Sequence, residues 1–152
     1  MTALIATQLN FEEEFMGGAL MSGNEVVLQK KWKRNFFVTD DEQIRKFARG
    51  IEDANFLHHD TEAAKVLGFS GIIAPGVMIV GFVSSTIASE IPGVLVLQME
   101  MSFGSPVYAN SFVSVSCEVS RKRGRLAKVS ILITSEQGDK VANGSCLLLL
   151  PQ

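Results

Sequence analysis

The chain has few of the residues that build metal centres and disulfide frameworks. Its 152 residues include two cysteines and two histidines, and the histidines are adjacent. Cys117 and Cys146 both lie in apolar runs, which predicts small buried side chains rather than a disulfide. An adjacent histidine pair also lacks the ligand spacing of a zinc site. We therefore expect neither a bound metal nor a diffusible cofactor.

A large excess of either charge is also absent. The net charge is −2 and the isoelectric point is about 5.7, so the chain has no general attraction for nucleic acid. The N-terminus lacks the basic start of a secretory signal, and its short apolar run gives way to Glu12-Glu13-Glu14. These features predict a cytoplasmic protein.

Charged residues are missing altogether from residues 66–89. That stretch is long enough to cross a bilayer, but five glycines and prolines interrupt it. Pro75-Gly76 is typical of a helix start, and the residues from Gly76 to Ser89 are apolar on nearly all sides. Such a helix is normally buried in a core, so we expect no membrane span.

The length and the 47% hydrophobic content suit one domain with a substantial core. We expect residues 1–23 to be a partly ordered extension and residues 24–152 to form the domain. Thr39 and Glu42 have capping-box spacing and predict a helix that ends near Gly50. A second short helix is expected from Asp60 to Leu67, with Ala63, Ala64 and Leu67 facing inward.

Period-two alternation dominates the C-terminal half, most clearly from Phe112 to Arg121. The predicted strands are Glu25 to Phe37, Val94 to Phe103, Phe112 to Arg121, Leu126 to Ser135 and Val141 to Leu150. Gly124 and residues 137–139 mark the turns between the last three. A long apolar helix with an antiparallel sheet predicts an α+β fold in which the helix covers one sheet face.

The stretch from Asp53 to His58 (DANFLH) carries the strongest chemical signal. It follows the predicted helix, so the chain turns where a carboxylate, a carboxamide and an imidazole come together. An aspartate and a histidine can jointly bind a water and move its protons. Alternatively, Asp53 and Asn55 only shape the turn and His58 is an ordinary loop histidine. Spacing alone leaves both interpretations open.

Residues 47–60 (FARGIEDANFLHHD) resemble the signature of MaoC-like (R)-specific enoyl-CoA hydratases. Residues 68–78 resemble the family's entry to its central helix, and residues 103–108 resemble the strand and turn that follow. Asn143-Gly144 resembles its final strand. The resemblance covers roughly residues 24–151 and is most specific around Asp53 and His58.

The resemblance implies a single hot dog domain, in which a curled antiparallel sheet wraps around a long central helix. It implies reversible hydration of trans-2-enoyl thioesters, of CoA or acyl carrier protein, to (R)-3-hydroxyacyl thioesters. Asp53 and His58 would activate the water, the Gly76 N–H would stabilise the oxyanion, and Asn55 and Ser84 would support the site. A homodimer or larger homo-oligomer is expected.

Three positions depart from the family pattern. Phe56 replaces a usual proline, Pro75 a usual histidine, and Asn110-Ser111 a usual Gly-Asp turn. None of these removes a predicted catalytic group, but together they indicate a divergent member with an unusual substrate or reduced activity. His59 is expected to point away from the dyad in an extended loop.

Other functions remain open from the sequence. A hot dog thioesterase would also act on acyl thioesters, and a non-catalytic acyl-thioester-binding protein or structural dehydratase subunit would share the fold. Two basic clusters, residues 30–34 and 121–125, could contact CoA phosphates or an acidic carrier protein. Such clusters are also common at solvated strand ends and hairpin tips.

Overall fold

A computed structural model describes residues 30–152. The predicted extension, and the start of the strand predicted from Glu25, lie outside these residues. The elements in chain order are β1 (Lys31–Val38), α1 (Asp41–Gly50), a 3-10 turn (Phe56–His58), α2 (Thr61–Val66), α3 (Gly76–Glu90), β2 (Leu95–Phe103), β3 (Ser111–Arg123), β4 (Leu126–Ser135) and β5 (Lys140–Leu149).

All five strands form one antiparallel sheet in the order β1-β3-β4-β5-β2. The predicted meander of three consecutive strands is confirmed as β3, β4 and β5. Gly124 and Gly138 have φ angles of 56° and 89° in its two turns. Residues with a Cβ adopt this left-handed region at an energetic cost that glycine avoids, so glycine suits both positions.

The sheet curls around α3. This helix contacts β1 and β2, which are the two opposite edges of the sheet, as well as β3. Contact of one helix with both edges agrees with the predicted hot dog fold, in which the sheet wraps around a central helix.

The core lies between α3 and the concave face of the sheet. Val113, Val115, Cys117 and Val119 alternate inward along β3 and are buried, as predicted. Cys146 faces the same core from β5, and both cysteines are free thiols. Burial raises the pKa of Cys117 to about 11 and that of Cys146 to about 12.

The prediction that α3 is buried on nearly all sides is wrong for one face. Ile79, Val83 and Ile87 are buried against the sheet, but Val77 is 52% exposed and Ser84 is exposed as well. The sheet covers only the surface of the helix that it can reach. No helix among residues 30–152 is long and apolar enough to cross a membrane.

The cap of α1 lies one residue after the predicted position. Asp40, not Thr39, is the N-cap, and its carboxylate accepts a hydrogen bond from the Gln43 N–H at 2.9 Å. Asp40 and Gln43 have the same three-residue spacing as Thr39 and Glu42, so sequence spacing could not decide between them. The predicted end at Gly50 is confirmed.

Helix α2 is shorter than predicted and buries less. Asp60 caps it, Ala64 is buried, and Ala63 is half-buried. The prediction that Leu67 faces inward is wrong, since its side chain is 59% exposed. The helix ends at Val66, so Leu67 is its C-cap. Gly68, with φ of 88°, then turns the chain away.

Candidate active site

The end of α1 fixes the backbone of Asp53. The Glu52 N–H donates to the Arg49 carbonyl at 3.1 Å, and the Asp53 N–H donates to the Ala48 carbonyl at 2.9 Å. This bond pair is a Schellman motif, in which the residue after the C-cap is left-handed. Glu52 occupies that position with φ of 57°. Asp53 therefore leaves the helix in a defined direction.

Asn55 links Asp53 to the turn that carries His58. The Asn55 N–H donates to Asp53 Oδ1 at 3.0 Å, and Asn55 Oδ1 accepts from the Leu57 N–H at 3.1 Å. The Asn55 carbonyl accepts from the His58 N–H at 3.0 Å. One residue thus caps the 3-10 turn and bonds the carboxylate.

The ring of His58 is buried and oriented by the segment before α3. Its Nδ1 lies 2.8 Å from the Ile73 carbonyl oxygen, and the residue is 7% exposed. A carbonyl only accepts, so Nδ1 carries the proton in this bond. In the neutral ring Nε2 is then an acceptor.

His58 Nε2 faces Asp53 Oδ2 at 3.6 Å. That separation is too long for a direct hydrogen bond, and the neutral ring and the carboxylate both present acceptors there. Both atoms can therefore accept from one small donor, and a water has two hydrogens to give. The Asp53 side chain is 31% exposed, so the dyad is open to solvent on one side.

Gly76 begins α3, three residues after the carbonyl that orients His58. Its N-cap is Pro75, and no side chain caps this helix end. The N–H groups of a first helical turn attract negative charge. A Cβ added at Gly76 would lie 3.2 Å from the Phe103 ring, so glycine keeps the helix start close to β2.

Ser84 lies about two turns after Gly76 on α3. Its side chain is exposed. The eight residues between Gly76 and Ser84 correspond to about 12 Å along the helix axis. The contacts in the structure join Asp53, Asn55 and His58, and the roles of Gly76 and Ser84 stay predictions.

A cavity of about 610 Å³ has neither Asp53 nor His58 among its lining residues. Val107 and Tyr108 line it, and both pair with the segment Ile73-Ala74. The Ile73 carbonyl points to His58, whereas the Ala74 N–H bonds Val107. The Ile73–Ala74 peptide therefore links His58 on one side to Val107, which lines the cavity, on the other.

The expectation that His59 points elsewhere in an extended loop is wrong. His59 is the C-cap of the 3-10 turn, and its Nε2 lies 2.6 Å from the Asp53 carbonyl oxygen. Sequence reasoning also missed the Ile73 carbonyl, which lies 15 residues from His58. Nothing in the residue spacing signals either bond.

Contacts within the fold engage several side chains of the two basic clusters. Lys31 pairs with Glu118 at 3.1 Å, and Arg34 donates to Ser89 Oγ at 2.6 Å. Arg125 donates to the Leu150 carbonyl at 2.9 Å. These bonds tie the clusters to the sheet and to α3.

No group of three or more histidine, cysteine, aspartate or glutamate side chains within residues 30–152 could hold a metal ion. The dyad offers one imidazole and one carboxylate, fewer than the three protein ligands of a catalytic zinc site.

Comparison with known proteins agrees with this fold. The chain is 27% identical over 115 residues to a mitochondrial 3-hydroxyacyl-acyl-carrier-protein dehydratase of Solanum lycopersicum, covering 73% of this chain and 70% of that one. It is 26% identical over 113 residues to the (R)-specific enoyl-CoA hydratase of Aeromonas caviae, covering 72% and 84%.

The R-hydratase PhaJ1 of Pseudomonas aeruginosa superposes with a TM-score of 0.75 at 23% identity, covering 82% of each chain. This structural likeness supports the hot dog fold. The model of the MaoC like domain matches residues 22–140, which include the dyad and all of α3. The chain therefore belongs to the MaoC-like domain family.

Proposed function

We propose that the protein hydrates trans-2-enoyl thioesters reversibly to (R)-3-hydroxyacyl thioesters. The observation that carries this proposal is the pair of acceptors, Asp53 Oδ2 and His58 Nε2, at 3.6 Å. A hydratase must bind one water, take a proton from it and return a proton to carbon. The names of the Solanum lycopersicum and Aeromonas caviae relatives agree with this reaction class.

In the proposed reaction, the two acceptors hold both hydrogens of the water. Its oxygen lone pairs are then free to attack C3 of the substrate. As the C3–O bond forms, one water proton passes to the dyad, and the dyad delivers a proton to C2. The elements of water are added across the double bond, and the reverse sequence dehydrates the 3-hydroxyacyl thioester.

Negative charge develops on the thioester carbonyl oxygen when C3 is attacked. The Gly76 N–H is suited to that charge because it lies at the uncapped start of a 15-residue helix. The absence of a side chain would let the carbonyl approach the backbone. Pro75, where the family usually has histidine, has no side-chain donor, so stabilisation would come from the backbone.

Asn55 would support this site by fixing the distance between Asp53 and His58. Ser84 would act further along α3, on the exposed face of the helix. That face is open in one protomer, which suits contact with the acyl portion of a substrate or with a second protomer. The substrate is a thioester of CoA or of an acyl carrier protein.

A product assay on the wild-type protein tests the reaction. Crotonyl-CoA, octenoyl-CoA and a longer enoyl-CoA should lose enoyl absorbance without releasing free thiol, and chiral analysis should find the (R)-3-hydroxyacyl product. A strong chelator should leave the rate unchanged. Thiol release would indicate a thioesterase, and no turnover of any substrate by the purified homomer would indicate a binding or structural subunit.

A further inference from the structure

His59 contacts the backbone of Asp53, the proposed catalytic aspartate. Its Nε2 lies 2.6 Å from the Asp53 carbonyl oxygen. The carbonyl only accepts, so Nε2 must carry the proton and donate it. The two adjacent histidines therefore have opposite tautomers in their neutral forms, with the proton on Nδ1 of His58 and on Nε2 of His59.

The position of His59 is itself fixed from α1. Arg45 Nε donates to the His59 carbonyl at 2.9 Å, and the His59 N–H donates to the Phe56 carbonyl at 2.9 Å. Arg45 is half-buried and lies 3.9 Å from Asp41, one turn earlier in α1. Helix α1 thus holds both partners of this bond. It binds the Asp53 N–H through the Ala48 carbonyl and the His59 backbone through Arg45.

All hydrogen-bonding groups of Asp53 except the reactive oxygen are engaged. Its N–H bonds Ala48, its carbonyl bonds His59, and its Oδ1 accepts from Asn55. Only Oδ2 remains, and it faces His58. Without the His59 ring, the Asp53–Ala54 peptide could rotate and displace the Asn55 N–H that holds Oδ1, which would free the carboxylate to turn Oδ2 away from Nε2.

We propose that His59 is a positioning residue, which aims the Asp53 carboxylate by fixing the carbonyl of the same residue. This inference rests on the proposed hydratase function. His59 does not touch the substrate in this scheme, so its loss should lower kcat and leave KM almost unchanged. Displacements of about 1 Å can cost roughly 10²-fold in rate.

Two variants of equal length separate the hydrogen bond from side-chain bulk. His59→Met has no donor and should lower kcat on crotonyl-CoA about tenfold to a hundredfold, with KM changed by less than about twofold. His59→Gln can place an amide N–H near the Nε2 position and should restore kcat to within about threefold of wild type. Full kcat in His59→Met, or equal losses in both variants, would overturn the proposal.

A double-mutant cycle tests whether His59 acts through Asp53. In an Asp53→Asn background, His59→Met should change the residual rate by less than about twofold, because the group that it positions no longer works. The same loss in both backgrounds would show that His59 acts elsewhere and would reject the proposed route.

Ring tautomers can be measured without activity. Long-range ¹H–¹⁵N spectra of the wild-type protein, at a pH where both rings are neutral, should show one Nδ1–H and one Nε2–H histidine. His59→Gln removes the second signal and assigns both. A His59 ring protonated on Nδ1 would disprove the bond, even if His59→Met failed to fold. A wild-type enzyme without hydration activity would instead reject the proposed function, and with it the catalytic consequence of the bond.

Discussion

At the residue scale, the left-handed Glu52 immediately before Asp53 stands out. Its φ of 57° lies in a region that costs a residue with a side chain about 1 kcal/mol or more, yet the Schellman motif requires it. The only other non-glycine residue with positive φ among residues 30–152 is Asn110, at 58°. Asparagine tolerates this conformation better than glutamate.

Glu52→Gly should therefore stabilise the protein. Glycine adopts this φ freely, so we expect a gain of about 0.5–1 kcal/mol and a melting temperature a few degrees higher. Asn110→Gly is the matched control and should gain less. Calorimetry of both variants checks this, and a loss of stability in Glu52→Gly would show that its side chain contributes more than its backbone costs.

Sequence reasoning reached the residues of the candidate site only in part. The types and spacing of Asp53, Asn55 and His58 allowed both proton transfer and a purely structural turn, and the family resemblance favoured proton transfer. The partners that orient them are backbone carbonyls, of Ile73 for His58 and of Ala48 for the Asp53 N–H. Every residue has a carbonyl, so side-chain patterns carry no information about which one is used.

At the element scale, β2 and β5 approach each other closely at Gly144. It pairs with Met101, and a Cβ added there would collide with the Glu100 carbonyl oxygen and lie 2.6 Å from Met101 Sδ. The first obstacle is backbone, which a rotamer change cannot relieve. Glycine is therefore required for the register of these strands.

Gly144→Ala should destabilise the protein by about 1–3 kcal/mol or prevent folding, as overpacking does elsewhere. Gly50→Ala is the control, because no heavy atom lies within 4 Å of the added Cβ at the end of α1. Alanine suits a helix better than glycine, so this variant should keep or slightly raise stability. Equal urea midpoints for Gly144→Ala and wild type would contradict the strand geometry.

The buried thiols of β3 and β5 predict alkaline sensitivity. Burial raises the pKa of Cys117 to about 11 and that of Cys146 to about 12, the second also through repulsion from Cys117, against an ordinary 9.0. Above pH 9 the unfolded chain releases protons that the folded chain retains. The contribution of the two buried thiols to stability is thus complete below pH 9 and is lost as the pH rises toward 11–12.

Urea midpoints measured between pH 8 and pH 11 should fall more steeply for wild type than for a Cys117→Ala, Cys146→Ala double variant. Lysines and the single tyrosine titrate in both proteins, so the difference between the two slopes isolates the thiols. Parallel curves would mean that the thiols ionise as readily in the folded state as in the unfolded state.

Elements were easier to predict than their ends. The charge-free run predicted α3, and strict alternation predicted β3, because both patterns persist over many residues. The cap of α1 was misplaced by one residue since two overlapping pairs have the same spacing. The outward turn of Leu67 depends on where α2 stops, which the short apolar pattern did not define.

At the scale of the whole molecule, the sheet has two unlike edges. Lys31 and Lys33 are exposed on β1, and lysines commonly protect a free edge from pairing. Phe37 on β1 is 52% exposed, whereas β2 exposes three apolar side chains and no lysine: Leu95 is 57% exposed, Val96 39% and Phe103 50%. The predicted homodimer should therefore use the β2 edge.

Sedimentation at micromolar concentration should show a dimer of the 16.5 kDa chain. Val96→Lys should shift it toward monomer by placing a charge among the exposed apolar residues of β2. Lys33→Ala on β1 should leave the dimer unchanged. A wild-type monomer, or dissociation by the β1 variant alone, would reject this assignment of the edge.

The central claim is that Asp53 and His58 act together on one water. It is tested most directly by kcat/KM on crotonyl-CoA for Asp53→Asn, His58→Gln and the double variant, each with its melting temperature. Each single substitution should cost about 10²- to 10⁴-fold while the fold is kept. The double variant should be little worse than the poorer single, because both groups serve one step. Near-full activity in Asp53→Asn, or losses that multiply in the double variant, would contradict the account.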